Sequence, residues 1–249
     1  MYENDKINSE AYESISEVHL FMKITYYGQS CLLVEHDGKT VIIDPFLSGN
    51  PHVNVSPKDI KVDAIILTHG HGDHFGDTVE IANNNNCPVI AVVELAQYTA
   101  SKGVEHTVGM NLGGSKQFDG FKVKYTLAFH SSSIEEGGQN IYLGEPAGIL
   151  LTMGDKTLYH AGDTALFGDM KLIGELNHID VAALPIGDFF TMGPEDALLA
   201  AKWIKANQVI PIHYNTFPPI EQDAHAFATE LQRDNIKGLP LEIGESVEI

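Results

Sequence analysis

Basic residues are scarce in this sequence: 15 Lys and Arg stand against 34 Asp and Glu, a formal net charge of −19. A surface of that sign repels phosphate backbones and anionic bilayers at long range, which argues against non-specific nucleic-acid or membrane-surface binding. Bound divalent ions would reverse the sign locally, so small anionic substrates stay open. Cysteine is scarcer still. Cys31 and Cys87 are the two present, without ligand-type spacing to each other. They read as buried reduced thiols, consistent with a cytoplasmic protein. No apolar run approaches the length of a membrane span. The first residues, Met1 to Leu20, are polar and mostly acidic, and lack the basic start and apolar core of a signal peptide. Residues 1–21 are therefore set apart as a dispensable, flexible leader or an upstream start, with Met22 opening the alternative. Residues 22–249 are expected to form one large domain: the length is ample for a sizeable core, and the 43% apolar fraction is ordinary for a globular chain. Nothing in the composition opposes a homo-oligomer.

What is abundant is histidine and aspartate in one short stretch, Thr68-His69-Gly70-His71-Gly72-Asp73-His74. Packing does not explain four ligand-type side chains at that density, and the motif points to metal. The apolar run from Val62 to Leu67 reads as a buried strand that delivers the cluster. In an extended segment His69 and His71 point to one side and can reach one ion. Asp73 and His74, being adjacent, are expected to diverge and serve a second position. Gly70 and Gly72 suit a backbone folding tightly around something.

Along the chain, 23–27, 31–35 and 40–44 are expected strands, the second and third joined by a hairpin at Asp37-Gly38, with His36 merely exposed in that turn. Asp77-Thr78-Val79-Glu80 resembles a capped helix start. It leads through Asn83–Asn86 to a strand at 88–93 and a helix at 94–101. Further strands are expected at 122–129, 147–153, 156–159, 179–186 and 208–212. Ser131-Ser132-Ser133 should open a Gly-rich loop. One helix should begin at Gly193-Pro194 with Ala197, Leu198, Ala201 and Ile204 on its apolar face; a last one carries Ala224, Phe227, Ala228 and Leu231. The pattern is α/β, with two halves of one core.

Four of these strands run into a metal-competent residue: His69, His130, Asp163 and His213. With His71, Asp73 and His74 they make seven candidate ligands, too many for one tetrahedral zinc and about right for two ions sharing a carboxylate. Here the sequence resembles the metallo-β-lactamase superfamily, whose signature matches Thr68 through His74, with His130, Asp163 and His213 following in the expected order. The runs from Met22 to Gly28 and from Pro211 to Thr216 look closest to a bacterial group of uncharacterised metal-dependent hydrolases similar to the ascorbate-6-phosphate lactonase branch. The resemblance implies an αββα sandwich of two mixed β-sheets flanked by helices. It puts His69, His71 and His130 on one ion and Asp73, His74 and His213 on the other, with Asp163 bridging.

Two such cations lower the pKa of a bridging water and polarise a carbonyl or phosphoryl oxygen, so the expected activity is hydrolysis of a small ester, lactone or phosphoester. Asp73 is a candidate to orient the attacking hydroxide as well as bind metal. Zinc suits histidine and carboxylate best, and manganese, iron or nickel fit the same ligands. Asp44, before Pro45, is the leading candidate to hold a ligating histidine from behind. His160 is a candidate to line the site, a hydrogen-bonded structural histidine being the equal alternative. Gln29, Asp188 and Asn215 are loop candidates for substrate contact. Phe189-Phe190 is expected to pack in the core rather than wall a pocket. His19, His52, His106, His178 and His225 belong to no constellation. The rival readings are a glyoxalase-type thioester hydrolase and a non-catalytic metal-binding or ligand-sensing protein. Among other branches, some β-lactamases place a thiolate where this chain has Asp163, and flavodiiron proteins usually place Glu where it has His71.

Overall fold

The computed structural model describes residues 21–249, so all but the last residue of the polar leader lies outside the described residues. The first sheet begins as an antiparallel meander of β1 (Lys23–Tyr26), β2 (Leu32–His36) and β3 (Lys39–Ile43). Asp37 and Gly38 both take positive φ, +46° and +72°, the pair of conformations that a two-residue type I′ turn demands. Parallel strands β4 (Ala64–Ile66), β5 (Val89–Val92) and β6 (Thr107–Met110) extend the sheet. Between them run α1 (Gly72–Phe75), α2 (Thr78–Asn85) and α3 (Val93–Ser101). The second sheet starts with β7 (Ser115–Gln117) and β8 (Lys122–Leu127), with a separate hairpin, β9 (Ser133–Glu136) and β10 (Gln139–Tyr142), leaving the chain after β8. It continues through β11 (Ala147–Met153) and β12 (Lys156–His160), antiparallel, to β13 (Val181–Pro185), β14 (Gln208–Ile212) and β15 (Lys237–Gly238), parallel. Helices α4 (Met170–Leu176), α5 (Pro194–Ile204) and α6 (Ala224–Gln232) make the crossovers. Strand β16 (Ser246–Glu248) returns to pair with β1.

Alternation along the strands sets the layers. In β13, Val181 and Ala183 join the core shared with the first sheet, whereas Ala182 and Leu184 face the cluster containing Ile173, Ala201, Ile204, Phe227 and Leu231 of the helices. Val209 of β14 faces those helices while Ile210 and Ile212 face the other sheet. A strand buried on both faces reads as a continuous apolar run, as these do. The result is an αββα sandwich, the architecture that the family resemblance implies and with which the strand and helix pattern agrees. Helix α5 begins at Pro194 with Glu195 and Asp196 in its first turn, where a missing N–H costs nothing and negative charge meets the positive end of the helix.

Several local features differ from the sequence reading. Asp77 stands before α2 but makes no cap hydrogen bond; its Oδ2 instead accepts from the backbone N–H groups of Leu47 and Ser48, fixing the loop after Asp44. His36 is half-buried, and its Nδ1 lies 3.1 Å from the carbonyl of Phe21. The expected Gly-rich loop after Ser131 is the β9–β10 hairpin, turned by Gly137 and Gly138 at φ +61° and +78°. Helix α4 and the short edge strands β6, β7, β15 and β16 carry too few residues for a period to declare itself.

Candidate metal centre

The seven candidate ligands converge at one end of the sandwich. His69, His130 and Asp163 each follow their strand by three residues, and His213 follows β14 directly. Nε2 of His69 lies 2.9 Å from Nδ1 of His71, and a nitrogen of His130 joins them, with all three ligand atoms within 4.8 Å of one another. Asp73, His74 and His213 form a second group within the same limit. Between the two groups lies Oδ2 of Asp163, 3.5 and 3.9 Å from Nε2 of His130 and His69, and 3.3 and 3.0 Å from Nε2 of His74 and His213.

Local backbone explains the aim of each side chain. His71 is the extended residue that precedes the single helical turn α1. Within that turn Asp73 and His74 do not diverge as adjacent residues of a strand would. Oδ2 of Asp73 comes within 3.6 Å of Nε2 of His74 and 3.5 Å of Nε2 of His213. Of the two glycines in the motif, Gly72 has open space where a side chain would go; at Gly70 a Cβ would meet Leu143 at 2.5 Å. Asp44 and His213 hold left-handed backbone, φ +47° and +54°, and Gln29, Asp188 and Asn215 do likewise nearby. Such conformations cost energy outside glycine and gather where a site dictates the geometry. Gly162, at φ +62°, brings the Asp163 loop so close to Thr68 and the carbonyl of Ala147 that a Cβ would sit 2.9 Å from each.

Asp44 is fully buried behind the cluster and accepts three hydrogen bonds: from the N–H of Thr68 at 2.8 Å, the hydroxyl of Thr68 at 2.6 Å and Nδ1 of His74 at 2.7 Å. The Thr68 hydroxyl oxygen also lies 3.0 Å from Nδ1 of His69. One carboxylate thus orients one histidine of each group, directly or through Thr68, and leaves both Nε2 atoms facing the centre. Its own oxygens lie close enough to His69 and His74 to complete a third three-residue group, but they are spent on these donors. On the open side, Oγ of Ser131 sits 3.3 Å from Nε2 of His71, so that ring presents Nδ1 inward. Thr68 and Ser131 escape sequence reasoning, although each adjoins a ligand candidate in the chain.

These residues fit divalent cations. Nε2 of His74 and Oδ1 of Asp163 are buried without a hydrogen-bond partner, a costly state that an ion at the centre relieves. Burial pushes Asp163 up, but His213 and His74 outweigh it and hold the carboxyl well below the usual range. Burial lowers His69, His71 and His130, which stay neutral. It opposes charge on His74 and His213 too, yet Asp163, with Asp73, lifts His74 well above the ordinary value and His213 to about 9. In the metal-free protein these two rings hold protons on the atoms that must become ligands, so cations compete with protons there. Metal binding at pH 7.5 is expected to release protons, and apparent affinity to climb with pH through about 9, where His213 titrates. Calorimetric titration in two buffers of different ionisation enthalpy checks this; identical heats would contradict it.

A cavity of about 740 Å³ opens over the cluster, lined by His71, Asp73, His130, Asp163 and His213 on its floor and by Phe46, Phe190, Phe217 and Pro219 above. Phe189 and Phe190 are 70% and 50% exposed rather than packed in the core. Gln29, Asp188 and Asn215 are not among the residues lining it. Gln29 is fully buried and its Nε2 donates to Oδ2 of Asp73 at 2.7 Å, while its carbonyl accepts from the N–H of His213 at 2.6 Å. Asn215 uses Oδ1 to accept from the N–H of Gln222, and with Gln29 and His52 borders a neighbouring cavity of about 650 Å³. Asp188 is exposed and caps a tight turn through its N–H to the carbonyl of Met192. His160 is the structural histidine: Nε2 lies 2.9 Å from the carbonyl of Ser30 and Nδ1 accepts from the N–H of Gly162, bracing the Asp163 loop against the β1–β2 loop. His52, His106, His178 and His225 belong to none of the three-residue groups; His19 lies outside the described residues.

The beta-lactamase superfamily domain model matches residues 23–213. A UPF0173 metal-dependent hydrolase of Bacillus thuringiensis subsp. konkukian is 60% identical over 228 residues, 91% of this chain and 99% of the relative. A metallo hydrolase from the archaeon Ignicoccus hospitalis superposes with a TM-score of 0.84 at 37% identity, covering 92% of this chain and 98% of that one.

Proposed function

This chain belongs to the metallo-β-lactamase superfamily and is a metal-dependent hydrolase, and we propose that it uses two divalent ions, zinc first among them, to hydrolyse a small ester, lactone or phosphoester. The observation that carries this reading is the position of Asp163 Oδ2, within 3.9 Å of four imidazole nitrogens drawn from two separate groups. His69, His71 and His130 would hold one ion, Asp73, His74 and His213 the other, and Asp163 both. When bound, such a pair supplies Lewis acidity and lowers the pKa of water held between the ions.

The chain's own residues do the rest. Asp73 borders the cavity and is held at one oxygen by Gln29, which fits it to orient the attacking water. Asp44 and Thr68 keep His69 and His74 from rotating as charge moves at the centre. The thiols take no part: Cys31 is buried with its pKa well above the ordinary value, and burial lifts Cys87 to about 11. No helix among the described residues is long and apolar enough to cross a membrane.

The test is metal content together with hydrolysis of a panel of esters, lactones and phosphodiesters, before and after chelation. Two equivalents per chain are expected, with turnover abolished by the chelator and restored by the second equivalent. A fully metal-loaded protein inert across the panel would contradict the enzyme reading in favour of ligand sensing.

A further inference from the structure

We infer that the site takes a substrate bearing an aromatic or similarly large apolar group beside the scissile bond, and that it discriminates against substrates with a remote anionic group. This deepens the proposed function and rests on it. The floor of the cavity is polar, but its upper wall is made of Phe46, Phe190, Phe217 and Pro219. Phe46 and Phe217 lie 6.4 Å apart between ring centres, tilted at 47°, and form one side. Phe190 comes from another element, where it stacks edge-on against Phe189 at 4.7 Å.

Two exposed phenylalanines in succession are costly to hold in water, and apolar patches of this kind mark binding sites. The backbone holds them there. The N–H of Asp188 donates to the carbonyl of Met192 at 3.0 Å and that of Thr191 to the carbonyl of Asp188 at 3.1 Å, and the N–H of Met192 ties the turn to the carbonyl of Thr164 at 3.0 Å. The aromatic pair is therefore the tip of a tethered turn, from which Phe190 reaches the cavity over the ligand cluster.

Charge is the second observation. Among the described residues lining this cavity no Lys or Arg occurs, and the only charged side chains besides imidazoles are Asp73 and Asp163. A phosphate or carboxylate on the part of a substrate away from the ions would meet apolar rings and no counter-charge, in a chain of net charge −19. An aromatic group in the same place would bury its faces against three rings and gain both transfer energy and ring–ring contact.

The experiment compares three hydroxamates that share a metal-binding head on the zinc-loaded protein: acetohydroxamate, phenylacetohydroxamate and succinate monohydroxamate. Calorimetric titration is expected to show the phenyl compound binding at least about tenfold more tightly than the acetyl compound, from the ring area buried. The succinate compound should bind no more tightly than the acetyl one. In the Phe190→Ala/Phe217→Ala double variant the phenyl advantage should fall below about threefold, with Phe190→Leu retaining part of it. Equal affinities, a preference for the anionic compound, an advantage that survives the double variant, or no binding of any of the three would overturn the inference. Chelator-sensitive hydrolysis without phenyl preference would leave the proposed function standing alone. A phenyl preference in a protein that hydrolyses nothing would do the reverse.

Discussion

Replacing Asp163 by alanine is expected to remove metal and hydrolysis together. Among the described residues its Oδ2 is the one carboxylate oxygen within 4 Å of imidazoles from both groups, so no described neighbour can substitute for it. Without that charge two ions would face each other across bare imidazoles, and the repulsion between divalent cations at that range is large in a buried site. A metal pair of this kind would contribute several kcal/mol of transition-state stabilisation, so hydrolysis should fall by at least about 10³-fold. The fold should survive: Asp163 is a main cause of the raised pKa values of His74 and His213, and burial alone would leave both rings neutral. Circular dichroism on the variant separates loss of ions from loss of structure. A folded Asp163→Ala protein with full activity would sink the bridging role.

Asp44→Asn should have the second largest effect, although Asp44 is expected to touch no ion. All three donors that reach it point at carboxylate oxygens. An amide at the same place turns one acceptor into a donor, so it must oppose either the Thr68 N–H or the Thr68 hydroxyl and the His74 ring. In the second orientation His74 is driven to the tautomer with its proton on Nε2, the atom aimed at Asp163. Losing the partner of a ligating histidine typically costs about 10- to 100-fold in metal affinity, and an opposed buried donor costs about 1–3 kcal/mol of stability. Metal titration and thermal melting of the apo protein together read both effects. An Asp44→Asn variant that matched the parent in each would remove Asp44 from the account.

Much of this centre can be read from the chain because packing cannot explain it. Four ligand-type side chains in the run from His69 to His74, and single ones where strands at 122–127, 156–160 and 208–212 give out, point one way. Asp44 is legible only in part: residue pattern shows a carboxylate closing a strand before Pro45, and it is the family resemblance that favours a role behind a ligating histidine. Orientation is another matter. Asp73 and His74 converge because residues 72–75 close one helical turn, and four residues carry no period to announce it. His160 sits three residues from Asp163, yet both its nitrogens serve backbone groups, a choice made by the loop at Ser30, far away in sequence. Gln29 likewise turns inward to Asp73 rather than out to a substrate. Phe189 and Phe190 look like core residues by composition; only the tether between 188 and 192 holds them in solvent. In each case a long-range contact decides, and local pattern is blind to it.

The most direct test of the two-ion account is reloading the chelated protein with zinc while counting bound metal and following hydrolysis. Saturation at two equivalents is expected, with activity appearing as the second ion binds and both ions located by anomalous scattering, one at His69, His71 and His130 and one at Asp73, His74 and His213. Saturation at one equivalent with full activity would contradict it.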